Sequence, residues 1–243
     1  MKRSLMIFSI LFLLCVGVFA QCRLAESSSV KSPSIRSGVL ASIGGLRSVV
    51  SEVIWFRMDK LQRESRYAEL AQLASMLTSL DPHNVEVWSY SAWNLAYNVS
   101  FSMPNDESRW HWVKTAMEML RDEALVWNPD DPDICYEIAH LFEMKIGYVI
   151  DMASPYYREE WRKIVEDTAR RDAWEELAMD RATMAEVEEL YGVDDWGNPL
   201  TSSIYWAHRG LAKSDDRSRM KLEGLIQQAK MLYNKSYNKE DTL

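Results

Sequence analysis

The chain contains little glycine, proline, cysteine and histidine for its 243 residues. Only 9 glycines and 7 prolines are present, which argues against a β-sandwich or barrel, whose many turns use both residue types. Three cysteines and four dispersed histidines form neither a disulfide framework nor a metal-binding motif. The net charge is −8, so the chain lacks the basic excess that holds a phosphate backbone. This composition argues against nucleic acid as a partner.

Catalytic motifs are absent from the sequence as well. No G-x-S-x-G motif, glycine-rich phosphate loop or dinucleotide fingerprint occurs. Glu137 and His140 form one E-x-x-H, with Glu143 a turn further on. A di-iron site needs a second copy of that motif and two more glutamates, so we expect these residues to form a partly exposed polar edge of a helix. The sequence predicts no enzymatic activity, no metal and no cofactor.

A short acidic run between two prolines also has a structural explanation. Asp130, Asp131 and Asp133 alternate with Pro129 and Pro132, and this backbone cannot form the long ligand loop that calcium requires. Aspartate is a preferred helix N-cap. We therefore expect these carboxylates to cap a helix.

The N-terminus has the features of an export signal. Lys2 and Arg3 precede an apolar run from Leu5 to Ala20, which predicts a signal peptide over residues 1–20 that is cleaved after Ala20. Cys22 follows closely, in a context that resembles a lipoprotein box, although Gln21 stands where glycine or alanine is usual. Three alternatives stay open: a cleaved signal, a lipid anchor at Cys22, and a retained membrane helix.

Residues 21–44 are rich in serine and resemble a flexible tether. Each of the three N-terminal alternatives places the rest of the chain outside the cytoplasm. We therefore expect an exported protein that is periplasmic or tethered to a membrane of the cell envelope.

Beyond the tether, apolar residues recur at the three- and four-residue spacing of helices, and polar segments with proline interrupt them. Helices are predicted at 46–63, 66–79, 85–98, 107–126, 133–150, 156–171, 172–191, 201–212 and 216–236. No segment shows the alternation of a strand. The sequence predicts an all-α fold, with repeat-like helices over residues 45–150 and a helical region over residues 151–243.

Two of the interruptions are followed by similar sequences. The matching positions are Pro82 and Pro129, Trp88 and Cys135, Ala92 and Ala139, and Leu95 and Phe142. Together with Tyr67, which opens the preceding helix, this pattern resembles the tetratricopeptide repeat, a helix pair of about 34 residues. The two prolines lie 47 positions apart, so we expect about thirteen inserted residues, between Asn98 and Glu107.

The resemblance covers residues 51–150 and implies antiparallel helix pairs, stacked as a short solenoid with a C-terminal helical cap. The whole chain is also similar to bacterial envelope proteins with an export signal, repeat-like helices and an aromatic C-terminal segment. That similarity implies a location but no activity.

Aromatic residues are the most informative excess, with 10 tryptophans and 11 tyrosines. Many must pack in the core, but tryptophan and tyrosine also dominate interface hot spots. The candidate partner-binding residues are Trp93, Tyr97, Trp110, Trp112, Trp196 and Trp206. The leading hypothesis is a non-catalytic scaffold or adaptor that binds another envelope protein or peptide. The alternative is a small-molecule or glycan binder with an aromatic pocket between the repeats and residues 192–211.

Overall fold

The computed structural model describes residues 53–54, 56–64, 66–147 and 151–240, with only the backbone for residues 236–240. Residues 57–243 form one compact unit. The described residues form helices joined by turns and no strand, which confirms the predicted all-α class. The predicted signal peptide, the tether and Cys22 lie outside the described residues.

The helices of this unit follow one another closely along the chain. After the helical residues 57–63, the described part contains α1 (Tyr67–Leu80), α2 (Val85–Trp93), α3 (Asp106–Glu118), α4 (Leu125–Trp127), α5 (Pro132–His140), α6 (Ser154–Arg171), α7 (Arg181–Tyr191), α8 (Pro199–Leu211) and α9 (Asp216–Glu240). Three π-helical segments continue α2, α3 and α5 without a break: π1 (Asn94–Val99), π2 (Met119–Ala124) and π3 (Leu141–Gly147). A 3₁₀ turn spans Trp174–Leu177.

The acidic run before α5 starts that helix. Asp131 Oδ1 accepts hydrogen bonds from the backbone amides of Asp133 and Ile134, and Pro132 occupies the first turn, where its missing N–H costs nothing. The predicted capping role is confirmed for Asp131. Asp130 instead has a φ of 53°, and its carboxylate accepts a 2.9 Å hydrogen bond from Arg209 Nε.

The two similar segments have equivalent structures at an offset of 47 positions. Val85 begins α2 and Pro132 begins α5, while Asn94 begins π1 and Leu141 begins π3. The residue pairs matched in the sequence are all buried: Trp88 and Cys135, Ala92 and Ala139, and Leu95 and Phe142. The same helix register and the same buried face therefore recur in both segments.

The location predicted for the extra residues is wrong. Only residues 102–105 separate the helical residues that follow π1 from the start of α3. No long insertion therefore lies between Asn98 and Glu107. The additional length is in the helices themselves, because α3 continues through π2 and α4 to Trp127. A π turn carries an extra residue inside a helix, which lengthens the repeat without a loop.

The single helix predicted over residues 172–191 is also wrong. Asp172, with a φ of 51°, ends α6 in the left-handed conformation, and Ala178, with the same φ, ends the 3₁₀ turn. Asp180 then begins α7 by accepting a 2.8 Å hydrogen bond from the amide of Thr183. These three residues divide the segment into two short helical pieces.

Helix contacts define the core of the unit. α5 packs on α2, and α8 packs on α5, π3 and α9, while α6 packs on α3 and π3. α8 lies close to α5 at Gly210, where an added Cβ would lie 2.9 Å from Cys135 Cβ. Cys135 is fully buried, and burial raises the pKa of its thiol to about 12.

Candidate functional site

The six candidate aromatic residues occupy different environments. Trp110, Trp196 and Trp206 lie in the core, with exposed fractions of 7%, 9% and 1%, and Trp112 is partly buried against it. Tyr97 is partly buried, whereas Trp93 is 42% exposed. Only Trp93 among the six therefore presents a large part of its ring to solvent.

The aromatic residues near 192–211 pack on one another. Trp196 makes edge contacts with Trp174 and Tyr205 at 6.0 Å between ring centroids, and Tyr205 makes one with Trp206 at 5.4 Å. Trp196 Nε1 also donates a 2.7 Å hydrogen bond to Glu188. These four rings belong to the hydrophobic core of the unit.

Trp93 and Tyr97 form a stacked pair where α2 passes into π1. Their ring centroids are 5.8 Å apart and their planes meet at 26°. The ammonium group of Lys145, on π3, lies 5.0 Å from the Tyr97 ring centroid, a distance typical of a cation–π contact. This contact joins the two equivalent π-helical segments.

Helix α5 adds a second pair of rings. Tyr136 and His140, one turn apart on α5, stack with centroids 5.7 Å apart and planes at 13°, and both are partly buried. The Tyr97 phenol lies within electrostatic range of Tyr136, because that residue contributes to the raised pKa of Tyr97. We call Trp93, Tyr97, Tyr136 and His140 the aromatic face.

A buried carboxyl group accompanies the aromatic face. Glu143, on π3, is only 2% exposed, and its Oε1 has no hydrogen-bond partner among the described residues. Burial raises the pKa of this carboxyl group to about 7. The prediction of a partly exposed polar edge is confirmed for Glu137 and His140, which are half-buried. It is wrong for Glu143, because the π turn directs this side chain into the interior.

Two more polar atoms in π1 are buried without a partner among the described residues: the Tyr97 hydroxyl and Asn94 Nδ2. Burial raises the pKa of Tyr97, and the charges of Glu137 and Glu143 raise it further. Burial likewise raises the pKa of Glu137 and lowers that of His140. The face thus combines dehydrated polar groups with aromatic rings.

A buried ion pair fixes Lys145. Its Nζ donates a 2.7 Å hydrogen bond to Asp151 Oδ2, and the two side chains are 6% and 11% exposed. Tyr157 donates to the same oxygen at 3.3 Å, and the amide of Ala153 donates to Oδ1 at 3.0 Å. Burial by itself would raise the pKa of Asp151, but these hydrogen bonds and the charge of Lys145 lower it.

Glu143, Lys145 and Asp151 were not predicted from the sequence as parts of this site. One signal was available for Glu143, since at the offset of 47 it matches Ala96, which is fully buried. Trp127 was missed as well, although it is 51% exposed.

Two open clefts lie elsewhere on the surface. A cleft of about 360 Å³ between α3 and α6 is bordered by paired charges, including Lys114 with Glu118 and Lys163 with Glu160. A cleft of about 610 Å³ lies where α2, α5 and α9 begin. In the part of the chain that the structure covers, no group of three or more His, Cys, Asp or Glu side chains is arranged to hold a metal ion.

Comparisons with known proteins add no relative: no protein-family model, curated protein or solved structure matches this chain significantly. Among the described helices, none is both long and apolar enough to span a membrane.

Proposed function

We propose that this protein is a non-catalytic scaffold or adaptor that binds another cell-envelope protein or peptide through the aromatic face. The observation that carries this proposal is the exposed ring of Trp93, held in place by its stack on Tyr97. An exposed tryptophan beside further half-buried rings is the kind of surface on which binding hot spots occur. The packing of Trp196 and Trp206 in the core makes the alternative, an aromatic ligand pocket near residues 192–211, the weaker proposal.

We also propose that the helix pairs form a short solenoid of the tetratricopeptide type. The 47-residue offset supports this arrangement, as do the contacts of α2 with α5, of α5 with α8, and of α3 with α6. In stacked helix pairs, equivalent helices line one extended surface on which partners bind. The aromatic face lies on α2 with π1 and on α5, which are equivalent helices of consecutive pairs.

Export to the envelope is the third part of the proposal, and it depends on the sequence of residues 1–22 alone. The intact mass of the protein isolated from its native cells distinguishes the three N-terminal alternatives. A loss of residues 1–20, a lipid-modified N-terminus at Cys22, and an unprocessed chain each give a different mass.

The binding proposal is tested with two matched tryptophan variants. Full-length wild-type, Trp93→Ala and Trp127→Ala proteins are each purified from native cells in mild detergent. Trp127 is a suitable control because it is also a half-exposed tryptophan, on α4 rather than on the aromatic face. We expect one stoichiometric partner with the wild type and with Trp127→Ala, and its loss with Trp93→Ala.

All three proteins should unfold at similar temperatures, because both rings are already half exposed. Retention of the same partner by a folded Trp93→Ala variant would contradict the proposed function.

A further inference from the structure

The charge of Glu143 is not balanced by any described side chain. Its carboxyl group is 2% exposed, its Oε1 has no described hydrogen-bond partner, and burial is the single cause of its shifted pKa. Native proteins leave few buried polar atoms unsatisfied, and each such atom calls for an explanation. A ligand group that completes the site would supply one.

The two lysines nearest to the aromatic face have other partners. Lys145 Nζ lies 2.7 Å from Asp151 Oδ2, and Lys221 Nζ lies 3.2 Å from Asp133 Oδ1 while contacting the Tyr136 ring. Both ammonium groups are thus committed to aspartates. Beside the aromatic face, the charge of Lys221 acts on Glu137, whereas Glu143 has no described cationic partner.

The rings of the face are suited to a cation as well. The ammonium group of Lys145 already lies 5.0 Å from the Tyr97 ring centroid, and that of Lys221 lies 5.7 Å from the Tyr136 ring centroid. Trp93 is the exposed ring of the group, and tryptophan is the strongest cation–π partner among the side chains. Trp93 stacks on Tyr97, and the charge of Glu143 acts on the phenol of Tyr97, so Tyr97 links the exposed ring to the unpaired carboxyl group.

We propose that the partner inserts a lysine or arginine side chain at the aromatic face, with Glu143 as its counter-charge and Trp93 as the aromatic wall. This inference rests on the proposed function and specifies the chemistry of the partner. An anionic group would be repelled by Glu137 and Glu143. A neutral group would leave the Glu143 carboxylate buried and uncompensated, which is costly.

The test uses capped glycine–serine peptides that differ in one central residue: lysine, arginine, norleucine or glutamate. The full-length protein is labelled with 5-fluorotryptophan, and the Trp93 resonance is assigned by its loss in a Trp93→Phe variant. Titrations are run at pH 8, where Glu143 is ionised. The Trp127 resonance reports any effect that is not specific to the aromatic face.

We expect the lysine and arginine peptides to shift the Trp93 resonance saturably and the Trp127 resonance not at all. The norleucine and glutamate peptides should bind at least about tenfold more weakly, because they lack the charge that pairs with Glu143. Glu143→Gln should weaken the binding of the lysine peptide by a similar factor. The control Glu189→Gln, which removes an exposed carboxylate on α7, should leave its affinity unchanged.

Equal binding of the lysine and norleucine peptides, or lysine binding that survives Glu143→Gln, would overturn the inference. The aromatic face would then bind its partner by apolar contact, and the proposed function would stand. A Trp93 resonance that responds to no peptide also overturns the inference. The proposed function is judged separately, by whether the native partner is lost from Trp93→Ala.

Discussion

Lys145 and Asp151 form an ion pair across the end of π3, 2.7 Å apart and almost fully removed from solvent. Breaking a buried pair by removing one partner leaves the other charge uncompensated, and this typically costs about 3–5 kcal/mol. Lys145 also contacts the rings of Tyr97 and Tyr157. The pair therefore connects the stability of the fold to the geometry of the aromatic face.

Lys145→Met is predicted to lower the free energy of unfolding by about 3 kcal/mol, because the buried Asp151 loses its close counter-ion and keeps only Arg109, 4.0 Å away. Lys163→Met is the matched control. Its Nζ lies 2.8 Å from Glu160 Oε1, but its side chain is 58% exposed, and exposed pairs contribute about 1 kcal/mol or less. Chemical denaturation measures both values, and equal losses would show that the Lys145 pair is not effectively buried.

Glu143 predicts an unusual pH dependence of stability. Its pKa rises from an ordinary 4.5 to about 7 in the folded chain, so between these pH values the folded state holds a proton that the unfolded state has released. The free energy of unfolding attributable to this group therefore falls as the pH rises from 4.5 to 7, by at most about 3 kcal/mol.

Glu143→Gln should remove that dependence and make the protein more stable than the wild type at pH 8. His140 has a lowered pKa and gives the opposite slope below its ordinary value of 6.5. The difference between wild type and Glu143→Gln, measured by denaturation from pH 4 to 8, isolates Glu143. A wild-type protein more stable than the variant at pH 8 would show that the ionised carboxylate has a favourable partner.

Replacement by alanine is expected to have opposite effects on stability at two glycines. At Gly210 an added Cβ would lie 2.9 Å from Cys135 Cβ and 3.1 Å from Leu222 Cδ1, whereas at Gly224 nothing lies within 4 Å. Gly210→Ala should destabilise by about 1–3 kcal/mol through overpacking. Gly224→Ala should stabilise by roughly 0.5–1 kcal/mol, because alanine is the better helix former. Thermal unfolding distinguishes them, and an unaffected Gly210→Ala would refute the close contact of α8 with α5.

Local sequence rules predicted the parts of the fold that depend on local chemistry. Pro132 and Asp131 specify the start of α5, and the matching interruptions at Pro82 and Pro129 predict the equivalence of α2 and α5. Each of these predictions needs only a capping preference, a proline or a helical spacing.

The π-helical segments were not predictable in this way. A hydrophobic pattern is interpreted with one helical period along its length, and a π turn changes the period for a few residues. Glu143 therefore appeared to continue the polar edge of Glu137 and His140, although the structure buries it.

The most direct test of the central claim is photo-cross-linking in native cells. A photoreactive amino acid replaces Trp93 in one strain and Trp127 in another, with expression levels matched. We expect an abundant cross-linked product between position 93 and one envelope protein. The same product should be absent from the strain with the photoreactive residue at position 127. If position 93 gives no product, or gives the same set of products as position 127, the aromatic face is not the binding surface of this protein.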